Sequence, residues 1–131
     1  MRSSTWEEFN LPCTLKLSPL VKLLLTSVEF SSEKLDRIQL GLHEALVNAV
    51  LHGNASDHNK AIRVRRITTP NWLVWQIQDQ GTGIPMIERK ASLPFELDAE
   101  NGRGLFLIHE CFDDVRWSTK GNRIQLASRR A

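Results

Sequence analysis

Two runs of alternating residues stand a short turn apart in the middle of this chain. Ala61 to Thr68 (AIRVRRIT) and Trp72 to Gln78 (WLVWQIQ) alternate polar and apolar side chains around Thr69-Pro70-Asn71. Successive side chains of a strand point to opposite faces, so this period describes strands buried on one side only. A link this short cannot carry a crossover, and the two strands must pair antiparallel as a hairpin. Val115 to Ser118 and Arg123 to Ala127, around Lys120-Gly121-Asn122, read as a closing hairpin of the same kind.

The half-buried strands need something to cover them, and three segments have helical spacing. Ser18-Pro19 offers an N-cap followed by proline at the first helical position, and Leu20, Leu23, Leu24, Ser27 and Val28 continue that helix. Ser31 or Ser32 opens a second helix that runs to about Leu51 and stops near Gly53-Asn54. Gly104 to Phe112 reads as a third. The opening stretch, Ser4 to Leu17, alternates in part and reads as a strand or extended arm. Gly81, Gly83 and Pro85 mark a loop, and residues 86–101 follow no readable pattern. The order β, α, α, β, β, loop, α, β, β predicts an α+β fold, a predominantly antiparallel sheet with helices on one face.

A length of 131 residues fits one domain around one core. The composition, 41% hydrophobic and 24% charged, is that of a soluble globular protein. A formal net charge of only +2, with no basic block beyond Arg129-Arg130, argues against direct nucleic-acid binding. Leu20 to Leu25 is too short and too interrupted, by Lys22, for a secretory or membrane-spanning segment. Cys13 and Cys111 form no CxxC and are expected as reduced thiols, which together predicts a cytoplasmic protein without a membrane partner. Trp6 and Trp72 are expected in the core.

Three stretches could carry chemistry. In HEALVNAVLHGN, residues 43–54, Glu44, Asn48 and His52 recur at four-residue spacing beside an apolar ridge. Taken alone, such a stripe reads first as a solvated helix face; read as a site, it offers a carboxylate base and a hard amide-oxygen ligand for Mg²⁺. Val47 stands where HExxH would need histidine, so a zinc-protease reading fails. In IQDQGTGIP, residues 77–85, a strand ends at Asp79, and Gly81 and Gly83 allow a tight turn close to a ligand. A carboxylate there is either an ordinary strand exit or an acceptor for an exocyclic amine such as that of adenine. In ENGRGLFLIHECF, residues 100–112, Gly102 and Gly104 flank Arg103 ahead of an apolar helix, which makes either a simple turn or an anion site. Both GxGxxG and GxxxxGK[ST] are absent, which excludes a Rossmann fingerprint and a P-loop.

In order and spacing, the ExxxNAxxHG helix, the DxGxG after a strand and the GRGLxLI entering a helix resemble the GHKL ATPases. That superfamily includes gyrase, Hsp90, histidine kinases and MutL-type proteins. The similarity runs from about Ser18 to Leu126 and is greatest to the stand-alone bacterial anti-sigma factor serine kinases. It implies the Bergerat fold, a two-layer α/β sandwich with a mixed, mostly antiparallel sheet, and residues 86–101 as an ATP lid. It implies ATP and Mg²⁺, with Glu44 as general base, Asn48 as metal ligand and His52 near phosphate. Asp79 would then accept from the adenine amine, Gly81, Gly83 and Ile84 would shape the pocket, and Gly102, Arg103 and Gly104 would line the phosphates, with Leu105 also counted in the nucleotide site. Relatives carry a Gly-Thr pair between the last two strands; here Asn122 follows Gly121 and would supply that polar contact.

The length has no room for the further domains of gyrase, MutL, Hsp90 or histidine kinases. The resemblance therefore implies a protein serine kinase acting in partner switching. Its partners would be a sigma factor and an anti-sigma antagonist of the STAS type, in a family whose members often form homodimers. The alternatives are an ATP-binding module that holds a sigma factor or other regulator without chemistry, and a plain ATPase. Glu44 and Asn48, both intact, favour chemistry.

Overall fold

The computed structural model describes residues 4–84 and 100–130, with side chains described throughout except at 100–103. Its elements are β1 (Thr5–Pro12), α1 (Ser18–Leu24), α2 (Ser32–Asn48), a π-helical turn (Ala49–Gly53), β2 (Ala61–Thr68), β3 (Trp72–Gln78), α3 (Glu100–Cys111), β4 (Asp114–Trp117) and β5 (Arg123–Arg129). The strands form one five-stranded sheet in the order β1-β2-β3-β5-β4, and each neighbouring pair is antiparallel. The expectation of a mixed sheet is thus corrected among the described residues. β3 and β4 do run in the same direction, but β5 lies between them.

Period-2 alternation decides which face of the sheet is covered. Ile62 and Val64 of β2, Leu73, Trp75 and Ile77 of β3, and Ile124 and Leu126 of β5 are buried, and they join Ile38, Leu42, Leu46 and Ile108 from the helices in one core. The opposite face carries Arg63, Arg65, Gln76 and Gln78. Trp6, expected in the core, belongs to this uncovered side: it is 61% exposed, with the Arg65 guanidinium 5.0 Å from its ring centre. Trp72 is half-buried, with Arg129 at 5.3 Å.

One inward-facing position of β2 is charged. The Arg66 guanidinium donates to the carbonyl oxygens of Leu24 (3.0 Å) and Thr26 (2.7 Å) and to Glu7 Oε1 (2.6 Å). The Trp75 indole also donates to Leu24 O, at 3.1 Å. The last carbonyls of α1 are therefore taken by side chains of the sheet, and the helix ends at Leu24 rather than continuing to Val28; Ser27 turns the chain with φ of 64°. Ser18 is the first helical residue and Leu17 the N-cap, without a side-chain cap, which corrects the expected Ser18 cap. At α2 the sequence signal holds: Ser31 Oγ accepts from Lys34 N at 3.2 Å.

α2 and α3 lie side by side on the core, and Gly41 is what lets them approach. A Cβ there would fall 2.7 Å from Cys111 Cβ and 2.5 Å from the Phe112 ring. The third helix begins at Glu100, four residues before the expected start at Gly104. Glycine costs a helix interior only about 1 kcal/mol, and packing of α3 against α2 overrides that preference. The expected lid, 86–101, lies outside the described residues apart from the backbone of its last two. Among the described residues no helix is long and apolar enough to cross a membrane.

Candidate functional site

The polar stripe of α2 is built by ordinary helical spacing and then modified at its end. From Ala49 the chain widens into a π turn, with Asn54 N donating to Ala49 O at 2.8 Å, so the segment does not remain α-helical to Leu51. Asn54 itself is fully buried. Its Nδ2 donates to Ala61 O (3.1 Å), and its Oδ1 accepts from Gln80 N (2.7 Å). One side chain thus ties the end of the helix to the start of β2 and to the residue after Asp79. Its role was not evident from sequence, where Gly53-Asn54 read only as a stop signal.

Asp79 leaves β3 against this clamp. Its backbone N–H donates to Asn122 O at 2.9 Å, and its Oδ1 accepts from Gly81 N at 2.8 Å. Gly53 and Gly81 are required by close approach: a Cβ on the first would overlap the Asp79 carboxylate, and one on the second the Gly53 carbonyl. Gly83 has φ of 97°, and Ile84 N donates to Gly121 O at 3.1 Å, so the turn after Asp79 is stitched to the β4–β5 turn. Burial pushes the Asp79 carboxyl above its ordinary range, opposed by the Gly81 N–H and by the charges of Lys120 and Lys60.

These elements line a cleft that is open to solvent. Of the expected residues it brings together Asn48, His52, Asp79, Gly83, Ile84 and Asn122. Gly81 stands beside it through its bond to Asp79. Ala45, Ala49, Ile77, Ile108, Trp117 and Ile124 supply an apolar lining, with Gly53 and Thr82 at the turns. None of these eight was singled out from sequence as a site residue. Ala45 and Ala49, small and flanking Asn48, were the one local signal available. Trp117, Ile108 and Ile124 reach the cleft only through strand pairing and helix packing.

Glu44 is not part of this lining and sits at the neighbouring crossing of α2 with α3. The Cβ position of Gly104 lies 3.4 Å from Asn48 Oδ1 and 3.6 Å from Glu44 Oε2, so the amide and the carboxylate converge where α3 begins its apolar run. The Glu44 side chain is 25% exposed, with His43 Nδ1 3.9 Å from Oε1. Gly102 and Arg103 fall in the first turn of α3, where backbone N–H groups lack intrahelical acceptors, while their side chains lie outside the described residues. Leu105, expected in the nucleotide site, is 6% exposed and belongs to the core.

An amide oxygen next to a carboxylate, beside a helix start, is a hard-oxygen set that suits Mg²⁺. That ion is usually held by one or two protein oxygens and completed by phosphates and water. No group of three His, Cys, Asp or Glu side chains occurs among the described residues, and such a site does not need one.

The molecule is thus a helix-backed antiparallel sheet with a largely apolar cleft, holding Asp79, next to the α2–α3 crossing where Glu44 and Asn48 meet. Residues 17–128 match the histidine kinase-like ATPase domain, and the chain belongs to that family. Among curated proteins it is similar to the serine-protein kinase RsbW of Listeria monocytogenes, 32% identical over 94 residues, which are 66% of this chain and 60% of that protein. The RsbW of Listeria innocua matches to the same extent. It is also similar to the anti-sigma F factor of Geobacillus stearothermophilus, 24% identical over 106 residues, covering 79% of this chain and 73% of the relative.

Proposed function

We propose that the chain is an ATP-dependent protein serine kinase of the partner-switching type. It would bind a sigma factor and phosphorylate a STAS-type anti-sigma antagonist in the cytoplasm, working as a single domain and as a homodimer. The observation that carries this reading is the convergence of Glu44 and Asn48 beside Gly104, next to the cleft that holds Asp79. A pure binder has no use for a carboxylate at that point. The names of the relatives, a serine-protein kinase and an anti-sigma factor, support the same choice.

In this reading Asp79 accepts a hydrogen bond from the adenine amine, Ile77 and Ile84 bound the base, and Asn122 adds a polar contact. The free first-turn amides of α3, that of Gly102 among them, hold the phosphates with help from Arg103, while Gly104 in the next turn leaves room beside Asn48 and Glu44, and His52 stands at the phosphate side. Leu105 anchors this turn in the core. Asn48 would hold Mg²⁺, which when bound neutralises charge on the polyphosphate. Glu44 takes the proton of the attacking serine hydroxyl. A bond forms between that oxygen and the γ-phosphorus, the bridging bond to the β-phosphate breaks, and ADP leaves. The new phosphoserine brings about −2 charge to the partner contact and releases the antagonist.

The test is incubation with Mg-ATP and a STAS protein from the same cell, read by phosphoserine mass spectrometry. Transfer to serine is the expected result. Phosphate released only to water would make the protein a plain ATPase, and nucleotide held without turnover would make it a binding module. Glu44→Ala should lower transfer by about 10²-fold or more while ATP still binds. Undiminished transfer would remove Glu44 as the base.

A further inference from the structure

The face of the sheet turned away from the helices carries more positive charge than the whole chain. By register and alternation, its strand positions present Arg63, Arg65, Arg116, Arg123 and Arg129 against only two carboxylates, Glu8 and Asp114. That excess of three compares with a net charge of +2 for the protein. Arg63, Arg65 and Arg123 line one depression together with the amides of Gln76 and Gln78. Glu8 is the carboxylate at their side, 3.6 Å from both the Arg63 and the Arg65 guanidinium. At that distance it makes ion pairs without hydrogen bonds. Arg123 has no carboxylate within salt-bridge distance among the described residues. Every one of these cations is an arginine, and no lysine stands in any strand. Trp6, 61% exposed, lies on the same face. A surface that only has to stay in water mixes the signs, whereas protein interfaces favour arginine and tryptophan and are poor in lysine.

We propose that this face is a docking surface for an acidic segment of a partner protein, bound in extended form along β2 with its carboxylates on Arg63, Arg65 and Arg123. A planar guanidinium holds a carboxylate through paired hydrogen bonds, which a lysine ammonium cannot do. Arg63 and Arg65 stand two residues apart on one strand, about 7 Å, which is also the separation of alternate side chains in an extended partner. The amides of Gln76 and Gln78 offer donors and acceptors to that partner's backbone. Glu8 is then a resident competitor that the incoming carboxylates displace. A second copy of this chain laid face to face would set arginine against arginine, a costly juxtaposition that favours a partner of opposite charge. The cleft holding Asp79 lies between the sheet and the helices, on the other side of β3 and β5. A docked segment therefore leaves the nucleotide site free, and this docking can fail while the kinase reading stands.

The probe is a fluorescein-labelled peptide of alternating glutamate and threonine, titrated with the full chain and read by fluorescence anisotropy. Wild type should bind it equally with and without Mg-ADP, and about tenfold more weakly when NaCl rises from about 0.1 to about 0.5 M. R63Q/R123Q should weaken binding by about tenfold or more. K16Q/K22Q removes the same charge from exposed positions at and before α1 and should leave binding unchanged. E8Q, which frees Arg63 and Arg65, should tighten it about threefold. No binding by wild type overturns the proposal, as does full affinity in R63Q/R123Q. An equal loss in K16Q/K22Q would reduce the effect to net charge and overturns it too. Displacement of the peptide by Mg-ADP would place it at the nucleotide site instead. Tighter binding of an oligouridylate, lost in R63Q/R123Q, would give the face to nucleic acid, and a wild-type dimer that R63Q/R123Q breaks in sedimentation would give it to a second copy; each overturns the proposal. Should R63Q/R123Q fail to fold, E8Q decides, and unchanged or weaker peptide binding in E8Q overturns the assignment.

Discussion

At the scale of single residues, Asp79 combines a stability cost with the binding role proposed for it. Its folded-state pKa is raised, so between the ordinary carboxylate range and that raised value the native protein holds a proton the unfolded chain has lost. Stability therefore falls as pH rises through this window and remains lower above it. Asp79→Asn keeps an oxygen for the Gly81 N–H and removes the charge. We expect its melting temperature to exceed that of wild type at about pH 7 and to converge with it below about pH 4. The same variant should bind ATP at least about tenfold more weakly in calorimetry, having lost the acceptor for the amine. Gly83 is constrained differently: its φ of 97° and the Lys120 carbonyl in the path of any Cβ leave alanine no relaxed position. Gly83→Ala should cost about 1–3 kcal/mol in urea denaturation. Asp79 and the paired glycines were legible in sequence because a strand exit and a tight turn have local signatures. Thr82 and Trp117 carry no such signature.

At the scale of elements, the site depends on how segments end more than on how they run. α2 delivers Glu44 and Asn48 by four-residue spacing, and the π turn then brings Asn54 into the core, where it joins the ends of β2 and β3. Asn54→Ala would leave Gln80 N–H and Ala61 C=O without that partner. The expected loss is about 2–4 kcal/mol in thermal or urea unfolding, together with weaker nucleotide binding as the Asp79 turn loosens. The strand runs were readable because period 2 is a local property. The ends of α1 and the start of α3 were not. α1 stops where Arg66 and Trp75, more than forty residues later in the chain, take its carbonyls, and α3 extends through two glycines by packing on α2.

At the scale of the whole molecule, a ligand bound in the cleft would touch α2, the turn after β3, and the β4–β5 hairpin at once. Binding that selects this arrangement should stabilise all of it. Mg-ATP at about one hundred times its dissociation constant is expected to add about 2.7 kcal/mol, an upward shift of about 10 °C in melting temperature. An unchanged melting curve at saturating Mg-ATP would count against nucleotide binding. The uncovered face of the sheet, with Arg63, Arg65 and Arg123 exposed, is charged enough that no second helical layer is needed to keep it in water.

By itself, the sequence determined what depends on near neighbours: two hairpins, the cap at Ser31, the Glu44–Asn48 spacing, and an acid followed by glycines at a strand exit. It also carried the motif order that pointed to the GHKL ATPases. The tertiary structure decided what depends on distant partners. It paired β1 with β2 and β3 with β5, set Leu105 in the core, left Trp6 on the open face, and brought Trp117 and Ile124 into a cleft with Asp79. The physical reason is range. Dihedral preference and periodicity act over a few residues, whereas burial and hydrogen-bond satisfaction are settled only once the helices have packed on the sheet.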